Sequence, residues 1–137
     1  LPETLTTSAA ETEAIGENLG ERLRTGDVVL LAGELGAGKT TFVRGVARGA
    51  GSVAPVASPT FQLVRVYPGR LQLAHVDLYR VEQVTELGDL GLDELADQGA
   101  VVIEWGDRFQ LAGSALIEIE HLGGDRRLIR TKRDLSH

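Results

Sequence analysis

The sequence contains no cysteine and no methionine, and its 137 residues include one tryptophan, two tyrosines and three phenylalanines. Without a thiol, disulfide scaffolds, thiolate zinc sites and cysteine nucleophiles are excluded. A chain that begins at Leu1 and holds no Met is expected to have had its start processed or trimmed. No apolar run approaches the roughly 18 residues needed to cross a bilayer. No basic segment followed by an apolar stretch reads as a secretory signal, so a cytoplasmic chain with no membrane partner is expected. Net positive charge is missing too. The formal charge is −6, and a negative field opposes a grip on a phosphate backbone. Arg126, Arg127, Arg130, Lys132 and Arg133 are a local exception, readable as a solvated strand face or as a small RNA-facing patch.

The remainder is the composition of an ordinary globular core, with 42% hydrophobic and 25% charged residues. One domain over residues 1–137 suits that length. Lysine is scarce: of 14 basic residues only Lys39 and Lys132 are lysines, which makes each worth locating.

Ser8 with Glu11 three positions later has the form of a capping box, and Ile15, Leu19 and Leu23 then recur every fourth residue, so the first element reads as a helix ending at Thr25-Gly26. Val28 to Leu31 is short and wholly apolar, as in a strand buried on both faces. It enters a glycine-rich turn, after which Phe42, Val43, Val46 and Ala47 keep the helical period from about Lys39 until Gly49, Gly51 and Pro55. Residues 53–60 read as a loop. Phe61 to Tyr67 and Leu71 to Asp77 form a hairpin around Pro68-Gly69, a pair suited to a type II turn. Residues 81–98 read as helical pieces broken at Gly88 and Gly91. Val101 to Ile103, Leu116 to Glu120 and Arg127 to Thr131 complete the strands. The expected fold is α/β: a mixed, mostly parallel sheet with a β-hairpin and helices packed on both faces.

Gly33-Glu34-Leu35-Gly36-Ala37-Gly38-Lys39-Thr40 fits G-x-x-x-x-G-K-[ST], the phosphate-binding loop. Its glycines let successive backbone N–H groups turn inward around an anion. The following helix adds free amides and the positive end of its dipole. Lys39 can bridge β and γ phosphates, and the Thr40 hydroxyl can ligate Mg²⁺. By residue frequencies the pattern arises by chance in roughly 0.3% of such chains, so a single P-loop NTPase-like domain is the expectation.

Hydrolysis needs acids near the metal. Glu104 follows the apolar run Val101-Val102-Ile103, where a parallel strand would deliver a carboxylate beside the loop; otherwise it is an ordinary exposed glutamate. Asp77 closes another strand and carries the same pair of readings. Two such acids could divide the work, one on Mg²⁺ and one orienting water. Ser58-Pro59-Thr60-Phe61 is a stiffened loop, either a γ-phosphate sensor through Thr60 or a turn anchored by Phe61. His75, on the strand face of Leu71, Leu73 and Asp77, reads first as a hydrogen-bonding support and second as a base. Trp105 is a core residue or, directly after Glu104, a functional one.

Four motifs in this order resemble one family. Gly36-Ala37-Gly38-Lys39-Thr40-Thr41-Phe42, Ser58-Pro59-Thr60-Phe61, His75-Val76-Asp77-Leu78-Tyr79-Arg80 and Glu104-Trp105 together look like TsaE, formerly YjeE. That family is the bacterial ATPase of the pathway that installs threonylcarbamoyladenosine on tRNA. The resemblance runs from about residue 8 to 131. It implies ATP and Mg²⁺ as cofactors, slow hydrolysis by the chain alone, and docking on a TsaB–TsaD heterodimer. In that complex TsaD transfers the threonylcarbamoyl group to adenine 37 of tRNA, with TsaC upstream making the donor. The ATPase would reset the transferase between turnovers, with tRNA contact indirect or weak. By the family pattern Thr40 and Glu104 are metal ligands, and Leu35, Gly36, Ala37, Gly38, Lys39, Thr40 and Thr41 wrap the phosphates. Asp77 is an acid needed for hydrolysis beside Lys39 and Glu104; Ser58, Thr60 and Trp105 respond to nucleotide and partner, and Thr12 reaches the adenine.

Two other readings compete. A small-molecule P-loop kinase would want a basic lid, yet residues between Asp77 and Glu104 include Glu82, Glu86, Asp89, Asp93, Glu94 and Asp97, with no basic residue after Arg80. A non-hydrolysing nucleotide sensor could gate a partner, with that acidic segment as a docking face or as a solvated helix.

Overall fold

A computed structural model describes residues 3–34, 36–53, 56, 64–78, 91–104 and 114–137. Seven strands form one sheet: β1 (Glu3–Thr6), β2 (Val28–Ala32), β3 (Val64–Tyr67), β4 (Gln72–Asp77), β5 (Gly99–Glu104), β6 (Ala115–Gly123) and β7 (Arg126–Arg133). Three described helices accompany them: α1 (Ala9–Arg22), α2 (Lys39–Gly49) and α3 (Leu92–Gln98). The strand order is β1-β7-β6-β2-β5-β4-β3. The four inner strands β6, β2, β5 and β4 run parallel, and β3, β7 and β1 join antiparallel at the flanks. This is the mixed α/β domain expected from the sequence. Among the described residues no helix is long and apolar enough to cross a membrane.

Alternation along each inner strand divides the core in two. Val29, Leu31, Leu73, Val102, Ile117 and Ile119 face α1 and α2, burying Leu19, Leu23, Phe42, Val43 and Val46. Leu30, Ala74, Val76, Val101 and Ile103 face the other way, against Leu92, Leu95 and Ala96 of α3. Helices therefore cover both faces.

Helices α1 and α2 pack backbone to backbone. A Cβ on Gly16 would overlap the carbonyl oxygen of Phe42, one on Gly20 that of Val46, one on Gly45 that of Glu13, and one on Gly49 that of Glu17. The glycines recur at i and i+4 on both helices, so one stripe on each is bare backbone. Around the seam, Glu13 takes Arg44 at 3.3 Å and Arg48 at 3.4 Å. Arg70 donates to Gly20 O at 3.1 Å, which ties the β3–β4 turn to α1.

The sequence expectations need several corrections. Strand β1 lies outside the sequence expectations: its four residues carry no apolar run, and pairing with β7 holds it in the sheet. Ser8 caps α1 by accepting from Glu11 N at 3.1 Å. The reciprocal arm of the capping box reaches one residue further back, since Glu11 Oε1 accepts from Thr7 N at 2.6 Å and Thr7 Oγ1 at 2.7 Å. These bonds hold the Glu11 carboxyl below its usual range, the side-chain bond from Thr7 first and the backbone bond second. Gly69 is absent from the left-handed glycines, so the hairpin turn is not type II. The position is glycine for room: a Cβ there would lie 2.7 Å from Ala50 O and 2.8 Å from Ser52 N.

Candidate functional site: the carboxyl edge of the parallel strands

Strand β2 delivers the chain into Gly33, and α2 begins at Lys39. Between them Gly36 (φ 81°) and Gly38 (φ 99°) adopt left-handed backbone that a side chain would strain. Gly33 is crowded as well, because a Cβ there would lie 2.6 Å from Ile119 O. Ala37 N donates to Glu34 O at 2.9 Å, and Phe42 N makes the first helical bond, to Gly38 O at 3.0 Å. The amides of Lys39, Thr40 and Thr41 precede that bond, where a helix has no carbonyl of its own to offer. Among the described residues no side chain caps this terminus, and no acid occupies its first turn. The resulting group of inward amides at a positive dipole end can hold an anion. Lys39 is buried, and its Nζ donates to Gly33 O at 2.5 Å and Glu34 O at 3.4 Å.

The two candidate acids lie beside this loop. Glu104 ends β5, in register with Leu31 of β2 on one side and with Asp77 of β4 on the other. Loop and both acids thus share the carboxyl edge of the parallel strands, the position at which open α/β sheets take ligands. Glu104 is 3% exposed, so it is no ordinary surface glutamate. Among the described residues no Lys or Arg pairs with it; its partner is His75, Nε2 to Oε2 at 3.1 Å. His75 therefore supports the acid of the neighbouring strand rather than Asp77 of its own.

The donors fit a hard cation. Thr40, Glu104 and Asp77 offer only oxygen, the ligand type of Mg²⁺. Among the described residues no three His, Asp or Glu side chains group into a metal cage. Few protein donors are what Mg²⁺ needs when phosphates and water complete its octahedron.

A small cavity of about 30 Å³ opens beside the start of α2, lined by Ala9, Thr12, Gly38, Thr41, Asp125 and Arg127. Thr12 is buried there and shares a 2.8 Å hydrogen bond with Thr6, joining α1 to β1. A larger groove of about 540 Å³ lies at the other end of the loop, against Glu34, Glu118 and Glu120. Its carboxylates repel phosphate, so size is a poor guide to the site.

Arg127 was counted in the sequence only as part of a basic cluster, yet its Nε donates to Ala37 O at 2.8 Å and its Nη1 to Gly124 O at 2.7 Å. The arginine buttresses the loop from a strand 90 residues away in sequence, and no local pattern announces that. Arg130 is enclosed by Glu120 at 2.8 Å, Glu118 at 3.0 Å and Glu3 at 3.4 Å, which weakens the RNA-patch reading. Leu35, Ser58, Thr60 and Trp105, like residues 81–90, lie outside the described residues.

The family model described as "Threonylcarbamoyl adenosine biosynthesis protein TsaE" matches residues 6–131. The chain belongs to the TsaE family. The TsaE of Treponema pallidum is 46% identical over 102 residues, covering 74% of this chain and 76% of that one. The TsaE of Bacillus subtilis is 43% identical over 129 residues, covering 90% and 80%. Among solved structures, Bacillus subtilis YdiB superimposes with a TM-score of 0.74 at 34% identity, over 93% of this chain and 82% of that one. Membership in TsaE makes the loop at Gly33–Thr40 a P-loop and the chain a P-loop NTPase-like protein.

Proposed function

We propose that this chain is a Mg²⁺-dependent ATPase of tRNA threonylcarbamoyladenosine formation, working in the cytoplasm with a TsaB–TsaD heterodimer supplied by TsaC. The reading rests chiefly on one observation: an uncapped helix start with two left-handed glycines and a buried lysine, set beside the register-paired acids Asp77 and Glu104. The curated relatives carry the biosynthetic assignment in their names.

In this reading the amides of residues 35–41 and the Lys39 ammonium hold the β and γ phosphates. Thr40 and Glu104 would hold Mg²⁺, which supplies charge neutralisation at the phosphate oxygens when bound. Asp77 orients the attacking water and accepts its proton as the water oxygen bonds to the γ phosphorus. The bond from that phosphorus to the β–γ bridging oxygen breaks, giving ADP and phosphate. Lys39 faces the negative charge that builds there. Thr12 flanks the nucleoside, and Ser58, Thr60 and Trp105 relay nucleotide state to the partner. Contact with tRNA is indirect.

The test is reconstitution: ATP hydrolysis with and without TsaB–TsaD, and modification events counted per transferase. Stimulated hydrolysis and more than one cycle only with ATP are expected. Lys39→Ala should abolish both and weaken ATP binding at least tenfold, by analogy with the loss of a charged hydrogen bond worth about 1.5–3 kcal/mol. Asp77→Asn should slow hydrolysis about 100-fold or more while leaving the fold intact. Transfer of phosphate to a metabolite, or repeated modification cycles without hydrolysis, would refute the proposal.

A further inference from the structure

His75 is fully enclosed on β4, and the nucleotide chemistry above gives it no task. Its ring lies 6.3 Å from that of Tyr67, tilted by 34°. One ring nitrogen, Nε2, meets Glu104 Oε2 at 3.1 Å. The other, Nδ1, is buried with no hydrogen-bond partner among the described residues. Those two facts fix the proton. An ionised carboxylate only accepts, so Nε2 must carry the hydrogen. A hydrogen on Nδ1 would be a buried donor with no acceptor among the described residues, whereas a bare lone pair there costs less.

The choice of an imidazole donor has a chemical consequence. A lysine or arginine in this place would hold Glu104 more strongly but cancel the negative charge that attracts a cation. An imidazole N–H fixes one carboxylate oxygen and leaves Oε1 to a ligand. Outer hydrogen bonds of this kind set the orientation and basicity of a metal-binding carboxylate.

We propose that His75 is a positioning residue for the nucleotide-bound divalent cation: as the Nε2–H tautomer it clamps Glu104 Oε2 and presents Oε1 to the metal. This rests on the assignment of Glu104 as a cation ligand, and it adds a residue, an atom and a proton position to that assignment.

Two measurements test it. Long-range ¹H–¹⁵N NMR of the nucleotide-free protein should give Nε2 protonated and Nδ1 bare; a proton on Nδ1 would overturn the proposal. In the second, electron paramagnetic resonance follows Mn²⁺ binding to the protein with a non-hydrolysable ATP analogue. His75→Leu should weaken Mn²⁺ binding 10- to 100-fold and leave metal-free affinity for the analogue within about twofold. His75→Gln, whose amide nitrogen can replace Nε2 as donor, should recover most of the loss; it also serves if the leucine variant does not fold. Equal loss of metal-free and metal-dependent affinity, or unchanged Mn²⁺ binding in a folded variant, would overturn the clamp alone. Wild-type protein that bound no Mn²⁺ with the analogue would overturn the ATPase reading together with it.

Discussion

Replacing Gly45 by alanine tests the packing that carries the P-loop helix. In an ordinary helix interior this change is favourable by about 1 kcal/mol, because alanine restricts the unfolded chain and suits the helix. Here the new Cβ would overlap Glu13 O and stand 2.8 Å from Glu13 C and 3.0 Å from Glu13 Cα. All three are backbone atoms, which cannot rotate away as a side chain does. Restoring carbon contacts to about 3.5 Å requires α1 and α2 to separate by something near 1 Å, enough to forfeit a quarter to a half of each dispersion well along the seam. Overpacking of this kind costs about 1–3 kcal/mol and more where backbone is involved. The cost exceeds the helix gain, so Gly45→Ala should destabilise the fold by about 1–2 kcal/mol, lowering a urea midpoint by roughly 0.5–1 M. Gly16→Ala added to it should cost less than its own single effect, since one displacement relieves both clashes. Affinity for ATP should fall as well, because the cavity at Thr12 and Thr41 lies across the same seam. The sign decides the matter: a higher urea midpoint for Gly45→Ala would show that the helices are not in backbone contact.

Further expectations concern the edges of the site. Arg127→Ala removes the bond to Ala37 O, and nucleotide affinity should drop about tenfold by calorimetry, as for a charged hydrogen bond of roughly 1.5 kcal/mol; Arg127→Lys should restore little, since one ammonium cannot span Ala37 O and Gly124 O together. Unchanged affinity would return Arg127 to the surface cluster. Glu11 titrates below the usual carboxylate range, so its contribution is present above the unfolded carboxyl value and is lost as pH falls through the lowered one. Thr7→Val should move the Glu11 carboxyl resonance titration upward in NMR; an unmoved midpoint would show that the Thr7 hydroxyl is not its main support.

Features that depend on near neighbours along the chain are legible without the fold. Glycines at 33, 36 and 38 before Lys39-Thr40 mark a loop that exposes amides, since each φ is a local property, and all three have positive φ. The buried strands and the amphipathic α2 follow from apolar period for the same reason. Glu104 and Asp77 stand out in the sequence by their positions after apolar runs, and the sheet brings them into register. A signal for the α1–α2 seam was also present in the four-residue spacing of Gly16 with Gly20 and Gly45 with Gly49, although spacing alone does not say which helix faces which.

The partners of these residues follow from the way the strands assemble. Whether His75 meets Asp77 on its own strand or Glu104 on the next depends on strand order, which no local pattern encodes. Arg127 reaches the P-loop because β7 folds back beside β6. Strand β1 exists because β7 offers an open edge to pair with. Backbone dihedrals and hydrophobic period are written in adjacent residues, whereas a hydrogen bond across the sheet is chosen by which chain segments burial brings together.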